Sequence, residues 1–253
     1  TAVTWQLARA VVEVINRWYD DDIKYQRARL IAFEDLIFSF ALIGKHLTRK
    51  CRGNPSGNPL TTELNNCINF LMLVMVYLIV AKEESPDDYS IKSFIENVCS
   101  KIYGDDIVFS VSPQCALWFK ESLIEAVYKY YGVPVTPADK SDNGLSYRPI
   151  HELTFLKCEF LEFSHPIYKW QAGLSKTSIR NMVQFYRLKP NNGTVHEAVL
   201  TNCEDSLTFA YHWGREFFED HLSRINKRFK ELNWSPIAAT YEEYDFKYRT
   251  KLK

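Results

Sequence analysis

Two adjacent carboxylates follow a glycine at Tyr103-Gly104-Asp105-Asp106, with Ile102 before them and Ile107, Val108 and Phe109 after. Strand-forming residues on both sides of a Gly-Asp pair predict the tip of a β-hairpin. A hairpin tip can project two acids together, where they repel each other unless a cation sits between them. Asp105 and Asp106 are therefore candidate ligands for Mg²⁺ or Mn²⁺. Taken alone, the same residues also describe an ordinary solvated turn. A second polar group lies upstream. Asn58-Pro59 is a cap and first-turn pair that starts a helix, and Thr61 and Asn65, four apart, share one face of its first turns. Ser56 precedes it, and Gly57 lets backbone amides approach a ligand. Capping accounts for Asn58 and Thr61 but leaves Asn65 without a role.

The elements that must position these groups follow from periodicity. Val3, Leu7, Ala10, Val11, Val14, Ile15 and Trp18 recur at helical steps, and Asp20-Asp21-Asp22 ends that helix as a solvated acidic run. Leu36 to Ile43, the turn at Gly44 and the basic segment Lys45 to Arg52 form a hairpin whose Lys50 and Arg52 face phosphate or simply solvent. Gly53 to Pro59 is a loop. The helix after it turns apolar from Leu71 to Val80 and must be buried. Its apolar run from Cys67 to Ala81, interrupted by Asn69, is too short to span a bilayer comfortably. Ser112-Pro113 opens a second long helix with Ala116, Leu123, Ile124, Val127 and Tyr131 on its buried stripe, ending at Gly132. A short strand covers Val133 to Val135, and a tight hairpin turns around Leu156-Lys157. From about Ser175 the chain is helical: one helix to Arg187, one around Val195 to Trp213 and one from Arg215 to Leu232. Tyr241 to Lys253 is a charged, aromatic tail. Strands and helices alternate to about residue 165 and helices alone follow, an α+β region and then a helical one.

At 253 residues, 46% hydrophobic, the chain is globular. Its net charge is zero but unevenly placed: residues 1–59 hold nine Lys/Arg and six Asp/Glu, residues 60–168 eight and fifteen, residues 169–253 fourteen and ten. An acidic centre between basic flanks suits a metal site served by surfaces that touch a polyanion. Six scattered cysteines with no C-x-x-C pair, several inside apolar runs, read as reduced core thiols of a cytosolic protein. The chain opens on Thr1 inside a helical pattern, which predicts that it was cut from something longer.

Ser56-Gly57 with Thr61 and Asn65, then Tyr103-Gly104-Asp105-Asp106, then Thr136-Pro137-Ala138-Asp139-Lys140-Ser141, then Phe155-Leu156-Lys157, come in a fixed order. This series resembles motifs B, C, D and E of the viral RNA-dependent RNA polymerases of the picorna-like group. The resemblance implies an α+β palm over residues 1–168, with an antiparallel sheet and packed helices, and an all-α thumb over residues 169–253. That is a right-hand polymerase architecture lacking fingers and motif A. It also implies RNA-directed RNA synthesis by two-metal-ion phosphoryl transfer. Asp105 would be the metal ligand, with Asp106 assisting. Ser56, Gly57, Thr61 and Asn65 would bind the ribose of the incoming nucleotide. Lys140 would protonate the departing pyrophosphate, or else pair with Asp139. Lys157, Lys50 and Arg52 would contact primer or RNA.

Expected partners are template and nascent RNA, nucleoside triphosphates, a protein primer and other viral replication proteins, with no transmembrane segment. Expected localisation is the host cytoplasm, at membrane-associated replication complexes. Two departures stand out. Cys158 follows Lys157 where the family pattern commonly has Arg, and the aspartate of motif A is expected upstream of Thr1, so the piece alone is expected to be inactive. A reverse transcriptase shares a Tyr-x-Asp-Asp hairpin but lacks the Ser56, Thr61 and Asn65 pattern. A non-catalytic module that binds RNA or protein is the other alternative.

Overall fold

The structure, a computed structural model, describes residues 5–50, 53, 60–133, 135–138, 140, 144–163, 169–185 and 193–251. The chain divides into two compact units, Thr1–Tyr147 and Arg148–Lys253. In the first, α1 (Trp5–Tyr19) buries Ala8, Val11, Val12 and Asn16. Asp20 then takes a left-handed φ of 45°. The next helix, α2 (Ile23–Ile37), starts on Asp22, whose side chain accepts from the Lys24 N–H at 2.9 Å. Asp21 is gripped by the Arg29 guanidinium, which also donates to Asn16 Oδ1 at 2.6 Å. Asp20 and Asp22 are exposed, as the solvated end expected there requires, while Asp21 ties the helix–helix corner through Arg29.

The hairpin of β1 (Phe40–Ile43) and β2 (His46–Arg49) pairs Phe40 with Arg49 and Ile43 with His46. Gly44 supplies the turn, at φ 62°. All of β2 is exposed, as its basic content foretold.

The core of the unit is α3 (Thr61–Glu84), which buries Leu64, Ile68, Met72, Leu73, Val76, Tyr77, Val80 and Ala81. Each large apolar side chain so buried contributes roughly 1.5–3 kcal/mol before entropic costs. Tyr77 is fully buried among Phe94, Trp118 and Phe119, and its hydroxyl finds Ser93 Oγ at 2.9 Å. By length and composition α3 meets the test for a membrane span, a test that the core helix of a soluble protein also passes. Its inward face is nonetheless the protein core.

After a 3₁₀ turn (Pro86–Asp88), α4 (Ile91–Asn97) is capped by Ser90, which accepts from the Ser93 N–H at 3.0 Å. It runs directly into β3 (Val98–Tyr103), which pairs antiparallel with β4 (Asp106–Val111) from Val98↔Val111 to Tyr103↔Asp106. The long helix expected from Ala116 to Tyr131 is instead a 3₁₀ turn (Cys115–Leu117) and then α5 (Glu121–Tyr130), because fully buried Phe119 occupies the break. Val133 and Val135 lie outside any strand. Among the thiols, Cys115 and Cys203 are buried as expected, whereas Cys67 and Cys99 are exposed.

The second unit opens with β5 (Thr154–Phe155) and β6 (Cys158–Glu162). Leu156 and Lys157 both have positive φ, 53° and 63°, which is the type I′ pattern of a two-residue hairpin. A third strand absent from the sequence reading, β7 (Trp170–Leu174), pairs with β6 from Glu162↔Trp170 to Cys158↔Leu174. Then come α6 (Lys176–Met182), shorter than expected, and α7 (Val195–Ala210), started by a reciprocal Thr194–Glu197 capping box. Gly214 turns the chain at φ 88° into α8 (Arg215–Glu231). The expected tail folds as α9 (Tyr241–Lys251), whose Tyr241, Tyr244 and Tyr248 pack on the core of Ile179, Cys203, Leu207, Phe218 and Ile225. All strand pairs are antiparallel, so the α+β reading holds.

Candidate active site

Tyr103 and Asp106 close the β3–β4 ladder, leaving Gly104 and Asp105 as a two-residue loop. Gly104 has φ +64°, while Asp105 has no positive φ. A glycine with positive φ at the first loop position is the pattern of a type II′ turn, whose twist matches the flanking strands. Both carboxylates are exposed. Asp105 is a loop residue and Asp106 is the first residue of β4.

The tip rests on α3. The Gly104 N–H donates to Asn66 Oδ1 at 2.6 Å, and Asn69 Nδ2 donates to the Gly104 carbonyl. Asn66 and Asn69 lie in the first turns of α3, on which Thr61 and Asn65 are half-buried. The hydrogen bonds join the hairpin to Asn66 and Asn69 of α3, while Ser56, Gly57 and Arg52 lie outside the described residues. Asn66 and Asn69 themselves escaped the sequence reading. Their signal was an amide, Asn69, interrupting an otherwise apolar run, since a half-buried amide needs hydrogen-bond partners.

Lys140 is exposed, with φ 55°, and its N–H donates to the Pro137 carbonyl at 2.9 Å. The chain on either side of its loop is tied to α5. The Val133 N–H donates to the Tyr128 carbonyl at 3.0 Å, Glu125 accepts from the Leu145 N–H, and Glu121 Oε1 accepts from the Tyr147 N–H at 2.8 Å. The Tyr147 hydroxyl donates to the Phe119 carbonyl at 2.7 Å, and burial pushes its pKa up. Lys50 continues β2, its N–H donating to the Ser39 carbonyl at 2.9 Å. Lys157 belongs to the second unit, exposed at the tip of β5–β6, with its carbonyl accepting from the Ser175 N–H at 2.9 Å.

Hard carboxylate oxygens on a fixed backbone are a donor set that fits Mg²⁺ or Mn²⁺, which need few protein ligands when phosphate oxygens and water complete the octahedron. Among the described residues no group of three or more His, Cys, Asp or Glu gathers in metal-binding range. The hairpin offers a pair of acids open to further ligands.

A family model described as viral RNA-dependent RNA polymerase matches residues 1–230. The genome polyprotein of rice tungro spherical virus (strain Vt6) is 30% identical over 239 residues, 92% of this chain and 7% of the polyprotein. That of deformed wing virus is 29% identical over 246 residues, 94% of this chain and 8% of the polyprotein. The replicase polyprotein of acute bee paralysis virus (strain Rothamsted) is 28% identical over 239 residues, 92% and 12%. The chain thus spans only a small part of these relatives. In fold it is similar to a Sicinivirus 3Dpol RNA dependent RNA polymerase, with a TM-score of 0.68 at 18% identity, covering 88% of this chain and 42% of that one.

Proposed function

The chain belongs to the viral RNA-dependent RNA polymerase family, and from that premise we propose that it supplies the palm and thumb of an RNA-directed RNA polymerase from a picorna-like virus, working inside a longer chain. Palm would cover residues 1–168 and thumb 169–253, a functional division distinct from the packing boundary after Tyr147. The observation that carries the reading is the hairpin tip itself: Asp105 and Asp106 presented to solvent on a loop whose backbone is held by α3.

In the proposed reaction a 3′-hydroxyl oxygen attacks the α-phosphorus of a nucleoside triphosphate. The new O–P bond forms as the bond to the bridging oxygen of pyrophosphate breaks. Bound Mg²⁺ or Mn²⁺ would supply positive charge for the phosphate oxygens and acidify the attacking hydroxyl. Asp105 would hold the cation, with Asp106 assisting from the start of β4. Ser56, Thr61 and Asn65, with Gly57 giving room, would bind the ribose hydroxyls; a deoxynucleotide would leave those groups unpaired, which gives discrimination. Lys140 would protonate the departing pyrophosphate. Lys157, Lys50 and Arg52 would bind RNA phosphates.

Template, nascent strand, a protein primer and other replication proteins would be its partners, at membrane-associated complexes in the host cytoplasm. The deciding experiment is primer extension by the full-length polymerase with Asp105→Ala. Loss of nucleotide incorporation with retained folding is expected, and substantial residual activity would remove the assignment. The isolated chain should not extend a primer at rates near those of the full-length enzyme.

A further inference from the structure

Resting on the polymerase reading above, we propose that Asn66 and Asn69 are positioning residues that lock both peptide planes around Gly104 and so fix where Asp105 and Asp106 hold a divalent cation. Gly104 has the widest backbone freedom of any residue type, and it stands outside the strand ladder, which closes at Tyr103↔Asp106. Left to itself, the tip could rotate either peptide. The clamp removes that freedom at two points. Asn66 Oδ1 accepts from the N–H of the 103–104 peptide at 2.6 Å, and Asn69 Nδ2 donates to the carbonyl of the 104–105 peptide. The second of these peptides carries the nitrogen of Asp105.

The polarity of the clamp is forced. A backbone N–H can only donate and a backbone carbonyl can only accept, so each amide has one working orientation. The two asparagines sit three apart on one face of α3, whose Leu64, Ile68 and Met72 are buried. The carboxylates are thereby referenced to the protein core rather than to a loop. In in-line phosphoryl transfer, a displacement of about 1 Å costs about a hundredfold in rate.

The polarity also designs the test. In the full-length polymerase, Asn66→Asp keeps an acceptor for the Gly104 N–H, whereas Asn69→Asp removes the donor the Gly104 carbonyl needs. Both add the same charge one helical turn apart, so their difference reads hydrogen-bond direction rather than electrostatics. We expect Asn69→Asp to lower kcat about 10- to 100-fold with the nucleotide KM within about twofold, and Asn66→Asp to stay within about threefold of the parent.

Amide hydrogen exchange without metal or nucleotide supplies the second readout. The Gly104 amide should be protected in the parent and in Asn66→Asp, and should exchange at least about tenfold faster in Asn66→Leu. Equal kcat in the two Asp variants would overturn the positioning role, and unchanged Gly104 exchange in Asn66→Leu would overturn the clamp. If the Leu variant fails to fold, the isosteric Asp pair decides. An active Asp105→Ala enzyme would remove the polymerase assignment, and with it the catalytic half of this proposal. Gly104 exchange reads the clamp independently of that result.

Discussion

Asp20-Asp21-Asp22 and Asp105-Asp106 are both runs of carboxylates at the end of a regular element, and both have their backbones held, yet their side-chain oxygens have different surroundings. In the first run two of the three side chains are engaged: Asp21 is bound by Arg29 and Asp22 caps α2, while Asp20 is exposed. Arg29, by hydrogen bond and charge, holds the Asp21 carboxyl below its ordinary pKa. In the second run the main chain just before the acids is occupied, through Asn66 and Asn69 at Gly104. The Asp105 and Asp106 side chains form no ion pair with any described residue. In the reading proposed above, Asp21 and Asp22 spend their oxygens on protein partners, whereas Asp105 and Asp106 would keep theirs for a cation. Composition alone does not separate the two runs; their side-chain partners do.

The sharpest way to break this contrast is to neutralise one acid in each run. Asp105→Asn keeps the shape but removes the charge that would hold the cation, and it should lower nucleotide incorporation on the order of 10³-fold. Asp21→Asn should leave kcat within about twofold and lower the melting temperature instead. Parallel primer-extension and thermal-melting measurements on the two variants decide it, and a large kcat loss in Asp21→Asn would end the contrast.

A second pair sharpens it. A Cβ at Gly104 or at Gly44 meets nothing within 4 Å, and both residues have positive φ, +64° and +62°. Alanine at either position should therefore cost about 1–2 kcal/mol of backbone strain, without a clash. Chemical denaturation should show similar losses for Gly104→Ala and Gly44→Ala. Only Gly104→Ala should also reduce kcat, by about tenfold or more, because relieving the strain moves the tip against its clamp.

The three hairpin turns and the order of the site motifs were legible in the sequence because each turn rests on local chemistry. By contrast, α3 starts at Thr61 after Leu60, and the expected cap pair Asn58-Pro59 lies outside the described residues. What was missed depends on distant partners. In α2, Ile23, Tyr25 and Ile31 are exposed and only Ile37 is buried, so no apolar stripe marked the helix. In α9 the packing residues are tyrosines among alternating charges; Tyr248 meets Tyr211, His212 and Phe163. β7 is a strand because β6 is there to pair with it. The Asn66–Gly104–Asn69 clamp joins residues more than thirty positions apart, and nothing local announces it. The one trace was Asn69, a polar residue inside an apolar run.

The smallest expected effect extends the contrast to the second unit, where a serine and a histidine sit together as a nucleophile and base would. Ser206 and His221 are both buried. Ser206 Oγ donates to the Cys203 carbonyl at 2.7 Å, so it must accept from His221 Nε2 at 2.9 Å. That puts a proton on Nε2 and leaves the hydroxyl proton already engaged. As with Asp21, the reactive atoms are occupied, and the pair is structural. Burial first, then Arg180 and Arg224, lower the His221 pKa, with Asp220 opposing. The unfolded chain titrates at about 6.5, so this contribution is complete above that pH. Below it the unfolded state binds a proton that the folded state resists, and stability declines as pH falls through the folded pKa. Denaturation midpoints at pH 7.5 and 5.5 should differ in that sense. His221→Gln should flatten the difference but not erase it, because burial also lowers the His212 pKa. An undiminished pH difference in His221→Gln would mean that His221 is already charged in the fold, and the pair would then need a different account.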